Sequence, residues 1–319
     1  MRKDVIDTKL VLVIPNRDKD SVKQGKRDRV LKIVGLVITY VFLFLAAALA
    51  FFPFYYMIAA SFMDESSILS GRMIPEFASL AENIAYNYSE TFTRLNYFHH
   101  VAITLLVATS ITILQLLTTI LAAFAFARLT FKGRDVLFIA FLATMMIPGE
   151  LLAISNYVTL SNLGLTGLEQ TTFQAIVAMI IPLIASSFYI YLLRQSFLQI
   201  PNELYLAAKI DGKTDWGYLW KVMVPLASPT LITITILSFI SSWNGYVWPS
   251  LVVYNNSDTL ISVIIRKGAL TMQGPDGNYI TQYSWQMAAS VLTVVPFLII
   301  YIIFRKHIMR GSGRAGIKG

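Results

Sequence analysis

Six long apolar runs constrain this chain more than any other feature of it: residues 31–60, 98–127, 136–160, 172–193, 225–253 and 285–304. Each is long enough to cross the ~30 Å hydrocarbon core of a bilayer as a helix. Lipid offers no partner for backbone N–H and C=O groups, so a spanning segment must be a helix or part of a closed barrel. Runs of this length suit helices, not barrel strands. With 56% hydrophobic and only 14% charged residues, the composition excludes an ordinary soluble domain. The basic leader and first run invite comparison with a secretory signal, and Ala48-Leu49-Ala50 resembles a cleavage site. The run continues well past that point and is about twice the length of a signal core, so it reads as a retained helix.

Six spans place both termini on one side. On that side fall ten Lys and Arg in the N-terminal arm through Lys32, three in the loop after the second run, four after the fourth run and five in the tail, 22 of the 26 in the chain. Arg72, Arg94, Arg266 and Lys267 are left for the other side. The basic side is the cytoplasmic one, which predicts a multi-pass cell-membrane protein with cytoplasmic termini and with the region near Asp276 outside. The formal net charge of +8 is thereby assigned to topology, with no nucleic-acid partner.

The longest polar-interrupted stretch in the C-terminal half is residues 199–225, QIPNELYLAAKIDGKTDWGYLWKVMVP. Asn202 is placed to cap a short helix over 203–210, and Asp211-Gly212 to end it, Gly212 being free to turn left-handed. Thr214 is placed to cap a second helix, with Asp215 in its first turn. Spacings of three and four would then align Trp216, Leu219, Trp220 and Met223 on one face. Ala207 and Ala208 are small enough to admit a close neighbour. The segment Ala207 to Thr214, AAKIDGKT, falls one residue short of a phosphate-binding loop: it has Ala207 where glycine is required and no leading strand, so a nucleotide site is not indicated.

On these residues the stretch resembles the EAA loop of permease subunits of ABC importers, in particular the carbohydrate-uptake, MalG-like group. Ala207, Ala208, Gly212, Val222, Val224 and Pro225 stand in the motif's register, with Asp211 before the glycine. The motif's glutamate is replaced by Leu206, and Glu203 lies one helical turn earlier. The resemblance extends from the second run to the end through Met146-Ile147-Pro148, Ser161-Asn162-Leu163-Gly164-Leu165, Leu193-Arg194-Gln195, Ser242-Trp243-Asn244, Trp248-Pro249 and Ala315-Gly316-Ile317-Lys318-Gly319. It implies an all-α membrane protein of six transmembrane helices with the type I importer (MetI-like) permease fold. It further implies a cytoplasmic arm over 1–29, a permease domain over 30–310 and a tail over 311–319. A coupling loop over 199–225 would dock an ATPase through Glu203, Ala207, Ala208, Asp211, Gly212 and Pro225. The implied partners are a second permease, an ATPase dimer that binds the ATP and Mg²⁺, an extracytoplasmic solute-binding protein and a small solute, with no cofactor on this chain. Glycerol-3-phosphate and other polar solutes are alternatives to a sugar.

No catalytic constellation is present. Cysteine is absent, and the histidines are the adjacent pair His99-His100 and the distant His307, which do not converge on one metal; interfacial anchoring suits them. Candidate path residues follow from chemistry that suits sugars, aromatic faces and amides: Trp243, Asn244, Tyr246 and Trp248, expected mid-way along the fifth span, with Asn156 and Gln115 as lesser candidates of the same kind; the alternative for them is packing, with Asn244 bonding across helices. Glu150 is the one carboxylate well inside a run; it reads either as lining a path or as an interfacial or helix-pairing group. A transporter driven by an ion gradient would need more such acids and often an internal repeat, and neither is evident.

Overall fold

The structure, a computed structural model, describes residues 17–268, 270–273 and 278–312. The arm over 1–16, the tail over 313–319 and the expected outer position of Asp276 lie outside the described residues. The chain divides into two units, residues 1–56 and 57–319. The first is described by one element, helix α1 (Arg17–Ser61), which continues to residue 61. From Leu31 its apolar side chains are exposed over the first unit, as suits a helix whose surroundings are lipid or another chain.

In the second unit, α2 (Glu65–Leu69) and α3 (Leu80–Leu95) precede the long helix α4 (Tyr97–Arg128). The joint is Asn96, at φ 45°, a left-handed position that asparagine tolerates better than most residues. After α4 come α5 (Arg134–Ala143), α6 (Gly149–Asn162), α7 (Thr172–Ile180) and α8 (Ser187–Leu198). The polar stretch holds α9 (Asn202–Ile210), α10 (Asp215–Tyr218), a π-turn over Leu219–Met223, and α11 (Val224–Leu226). There follow α12 (Ser228–Trp243), α13 (Val247–Val252), α14 (Ile261–Arg266), an antiparallel hairpin of β1 (Thr271–Gln273) and β2 (Tyr279–Thr281), and α15 (Tyr283–Ser312). The fold is mostly helical; that short hairpin departs from the all-α expectation.

Two helices, Leu31–Ser61 and Tyr97–Arg128, are long and apolar enough to cross a membrane unbroken. Three expected spans are bent. The third run is α5 meeting α6 at 98°, and the fourth is α7 meeting α8 at 50°. The fifth run, expected over 225–253, breaks between Leu226 and Ser228 with a 79° bend, and the helix beyond the break stops at Trp243 rather than running to 253. Ser228 is the first helical residue behind Ala227, and its hydroxyl makes no cap.

Breaks inside apolar surroundings leave carbonyls that other elements satisfy. Pro182, just past α7, has no N–H for the Ala178 carbonyl; the Trp248 indole N–H donates to it at 3.2 Å. The two carbonyls at the α7–α8 bend are taken by α4: Gln115 Nε2 donates to Leu183 O at 2.8 Å, and Thr118 donates to Ile184 O. The Gln115 oxygen in turn accepts from Ser238 of α12 at 2.6 Å. Pro296 inside α15 frees the Leu292 carbonyl, and Tyr97 at the start of α4 donates to it at 3.0 Å. Irregular backbone is tolerated at membrane depth on this condition.

Helix α4 is the axis of three apolar clusters. Near its start, Tyr97 and Leu95 pack with Ile261, Leu270 and Trp285. Along its middle, Ile103, Val107 and Ile111 meet α7, α13 and α14. At its end, Ala123, Phe124 and Ala127 meet Leu193 and Phe197 of α8, together with Ala208, Tyr218, Leu219 and Met223 of the polar stretch. That last cluster fixes where the stretch sits.

Candidate functional site

The segment from α9 to α11 is built as a compact helical elbow. Helix α9 begins behind Pro201, not behind Asn202: proline supplies the cap position, and Asn202 is the first helical residue. The expected cap fails because the Asn202 side-chain oxygen is engaged elsewhere, accepting from Arg128 at 3.4 Å. Arg128 closes α4, and its guanidinium also donates to the Phe197 carbonyl at 3.0 Å and to the Ile200 carbonyl. One cation thus ties the end of α4 to the unsatisfied carbonyl end of α8 and to the entry of α9.

Helix α9 ends as expected. Gly212 has φ +73°, its N–H donates to the Lys209 carbonyl at 3.0 Å, and the Lys213 N–H donates to the Ala208 carbonyl at 2.9 Å. This is the paired bonding of a Schellman termination. Thr214 does cap α10: its hydroxyl accepts from the Gly217 N–H at 3.2 Å. The apolar face beyond it differs from the expected one. The π-turn widens the helix over Leu219–Met223, so Tyr218, Leu219 and Met223 are buried while Trp216 stays 62% exposed and stacks edge-on to Trp220 at 5.6 Å.

The two alanines have opposite fates. Ala208 is buried in the chain's own cluster beside Tyr218 and Phe197, and Ala207 is exposed. Glu203, Leu206, Ile210, Asp211 and Pro225 are exposed as well, so α9 presents a mixed outer face while its inner face is anchored. Across the turn, Asp215 Oδ1 accepts from the Tyr205 hydroxyl at 2.7 Å and lies 2.7 Å from Lys209 Nζ. Those bonds, Lys209's first, hold the Asp215 carboxyl below the usual carboxylate range. Neither this trio nor Arg128 was singled out from the sequence. The available signals were Arg128 as the base that ends a charge-free run, and Asp215 placed six residues after Lys209 across a glycine turn.

The candidate path residues do not form one lining. Trp243 ends α12 with its side chain 1% exposed, stacked on Phe239 at 5.9 Å. Asn244 is exposed, and its amide donates back to the Ile240 carbonyl at 3.1 Å. These residues lie at a helix break between α12 and α13, not along a continuous span. Tyr246 is half-buried under the Arg266 guanidinium, 4.6 Å from its ring centre. Trp248 spends its indole N–H on α7. Glu150 is exposed in the first turn of α6, on the far arm of the 98° bend, and Asn156 is half-buried two turns on. Gln115 serves the break in the α7–α8 pair. His99 and His100 donate to the Ser257 and Thr259 carbonyls at 2.9 and 2.8 Å, fastening the loop before α14 to the start of α4.

Residues 115–312 match the family described as "Binding-protein-dependent transport system inner membrane component". The chain is 31% identical over 291 residues to the arabinooligosaccharides transport system permease protein AraQ of Halalkalibacterium halodurans, covering 90% of this chain and 98% of that one. It is 28% identical to the lactose transport system permease protein LacG of Rhizobium radiobacter, covering 86% and 94%. It is 29% identical to the sn-glycerol-3-phosphate transport system permease protein UgpE of Yersinia pestis, covering 86% and 95%. Among solved structures, a bacterial ABC transporter involved in import of the acidic polysaccharide alginate has a chain that superposes with a TM-score of 0.70 at 25% identity, covering 88% of this chain and 97% of that one.

Proposed function

The chain belongs to the family of binding-protein-dependent transport system inner membrane components, and we propose that within it this subunit serves the import of a carbohydrate. It is a multi-pass inner-membrane permease subunit of an ABC importer, not an enzyme, and it carries no cofactor. Family membership replaces the ion-gradient alternative. The finer reading has six spans, namely α1, α4, the bent pairs α5–α6 and α7–α8 each counting as one, α12, and α15, with both termini cytoplasmic. The elbow over 199–225 docks an ATPase subunit, while a second permease supplies the other half of the path and a binding protein delivers solute. ATP and Mg²⁺ bind the ATPase.

The observation that carries the docking assignment is the two-sided construction of α9. Its inner face is fixed by Ala208 in the core cluster, and its outer face shows Ala207, Leu206 and Ile210. A piece that must pass force from an outside partner to membrane helices needs both faces. Arg128 supports the same reading, since it links the entry of the elbow to α4 and α8. On this reading ATP-driven closure of the ATPase pair moves the elbow, and the bent helices switch the opening of the path.

Cross-linking tests it. The natural chain has no cysteine, so Ala207→Cys gives a unique thiol. The expected result is a cross-link to an ATPase subunit within the assembled importer, together with ATP-dependent uptake of an oligosaccharide in proteoliposomes. A thiol at 207 that never reaches the ATPase would remove the docking assignment. Uptake of glycerol-3-phosphate in place of sugar would replace the substrate class and leave the docking assignment standing.

A further inference from the structure

The elbow contains a contact that its sequence motif does not specify. Helices α9 and α10 are joined by residues 211–214, and Gly212 has open space where a Cβ would project. Such a turn is a natural hinge, since glycine moves between conformations at little cost. A hinge there would let an outside push on α9 dissipate before reaching the core. Three side chains bridge it. Tyr205 and Lys209, one turn apart on α9, both reach Asp215 Oδ1, the first residue of α10, at 2.7 Å each. Lys209 Nζ also lies 5.3 Å from the Tyr205 ring centre. The Tyr205 ring packs edge-on at 5.0 Å against Tyr218, which is 1% exposed within the core cluster. The bridge therefore runs from the exposed hinge to the buried end of the elbow in two contacts.

We propose that Asp215 is the positioning residue of this elbow: with Tyr205 and Lys209 it clasps α9 to α10, so that the pair moves as one body and displacement of α9 reaches Tyr218 and Met223 rather than being absorbed at Gly212. The proposal rests on the reading of 199–225 as the docking segment. Leu206 stands where the motif has a carboxylate and is exposed, whereas Asp215, nine residues later, supplies a carboxylate that works inside the elbow. An exposed ion pair by itself contributes little to stability. The clasp is therefore expected to act on the spread of α9 positions and on coupling, not on whether the chain folds.

The test uses the assembled importer in lipid nanodiscs with spin labels at Leu204→Cys on α9 and Trp216→Cys on α10, both exposed positions, the partner subunits being free of reactive thiols. The parent should give one narrow label-to-label distance. Asp215→Ala should broaden it and lower the solute carried per ATP hydrolysed by about fivefold, the low end of typical coupling between sites. The double exchange Lys209→Asp with Asp215→Lys should narrow the distance again and recover at least half of the lost coupling, which a mere loss of packing would not. Asp215→Asn keeps the Tyr205 bond and loses the ion pair; it should fall between, and replaces Asp215→Ala if that variant does not assemble. Unchanged width in the Asp215 variants overturns the clasp, as does failure of the exchange to restore it. Broadening with undiminished solute per ATP overturns its role in coupling. The distance measurement reads the clasp whether or not the ATPase docks here. Failure of the Ala207→Cys cross-link would refute the docking reading, and the coupling role would fall with it.

Discussion

Tyr97→Phe isolates one hydrogen bond and the reason it exists. The Tyr97 hydroxyl, on a side chain 8% exposed, donates to the Leu292 carbonyl at 3.0 Å. That carbonyl would ordinarily bond to the N–H four residues on, but position 296 is proline, which has none. Removing the hydroxyl therefore leaves an acceptor with no helical partner in an apolar region. A typical net hydrogen bond contributes about 0.5–1.5 kcal/mol, and an unsatisfied buried group costs about 1–3 kcal/mol. Bonds between membrane helices average nearer 0.6 kcal/mol. We expect a loss of about 1–2 kcal/mol, seen as a fall of about 1–3 °C in the thermal midpoint of the detergent-solubilised complex. Pro296→Ala supplies the missing N–H, so in that background Tyr97→Phe should cost roughly 0.5 kcal/mol or less. The coupling energy of the four-variant cycle should then be about 1 kcal/mol. Equal costs of Tyr97→Phe in both backgrounds would refute the argument that Pro296 creates the acceptor that Tyr97 serves.

The same logic applies at the α7–α8 bend. Gln115→Leu strands the Leu183 carbonyl and removes the acceptor of Ser238, with an expected cost of about 1–3 kcal/mol in the same thermal assay. Arg128→Lys keeps the charge but cannot fork to Phe197, Ile200 and Asn202 together; uptake should fall about tenfold, the scale of a charged hydrogen bond lost, while co-purification with the second permease persists. Gly212→Val meets no steric neighbour but must hold φ near +73°, a strain of about 1–2 kcal/mol; faster hydrogen exchange confined to the amides of 209–214 would show it. Epitope tags at both termini should be protected from protease in right-side-out vesicles, as the charge asymmetry predicts, and an externally accessible C-terminus with a protected N-terminus would rule out an even number of spans.

A mostly helical membrane protein was legible because lipid makes a simple demand: a helix crossing it must be long, apolar and internally bonded; among the described residues two of the six runs meet it as unbroken helices. The straightness of the runs was not legible. Of the prolines in the apolar runs, Pro53 and Pro296 lie inside α1 and α15, which pass through them as single helices, while the runs holding Pro148 and Pro182 bend by 98° and 50°. The residues after the proline separate these cases. Pro148 is followed by Gly149. Pro182 is followed by Ser186, whose hydroxyl caps a new helix by accepting from the Tyr189 N–H. Partners complete the account, since Gln115 and Thr118 take the carbonyls at one break and Tyr97 takes the one at Pro296. Those partners lie 66 to 195 residues away in sequence, which is why local pattern marks the possibility of a bend without deciding it.

The elbow and the candidate path show the same limit at the scale of single side chains. Turn chemistry is local, so Gly212 and Thr214 were readable from a few neighbouring residues, and both hold in the structure. The direction of a side chain is not local where helices start, widen or stop. Ala207 and Ala208 are equivalent in a motif, but adjacent residues on a helix point to different faces, so one is exposed and the other buried. Trp243 and Asn244 are likewise neighbours, and the end of α12 between them buries the ring and exposes the amide. Aromatic and amide residues gathered in sequence are therefore a statement about chemistry available near a break, not about a shared surface. Trp248 makes the point most sharply. Its indole N–H could serve a sugar hydroxyl by chemistry, but Pro182 leaves a carbonyl on α7 that claims it first.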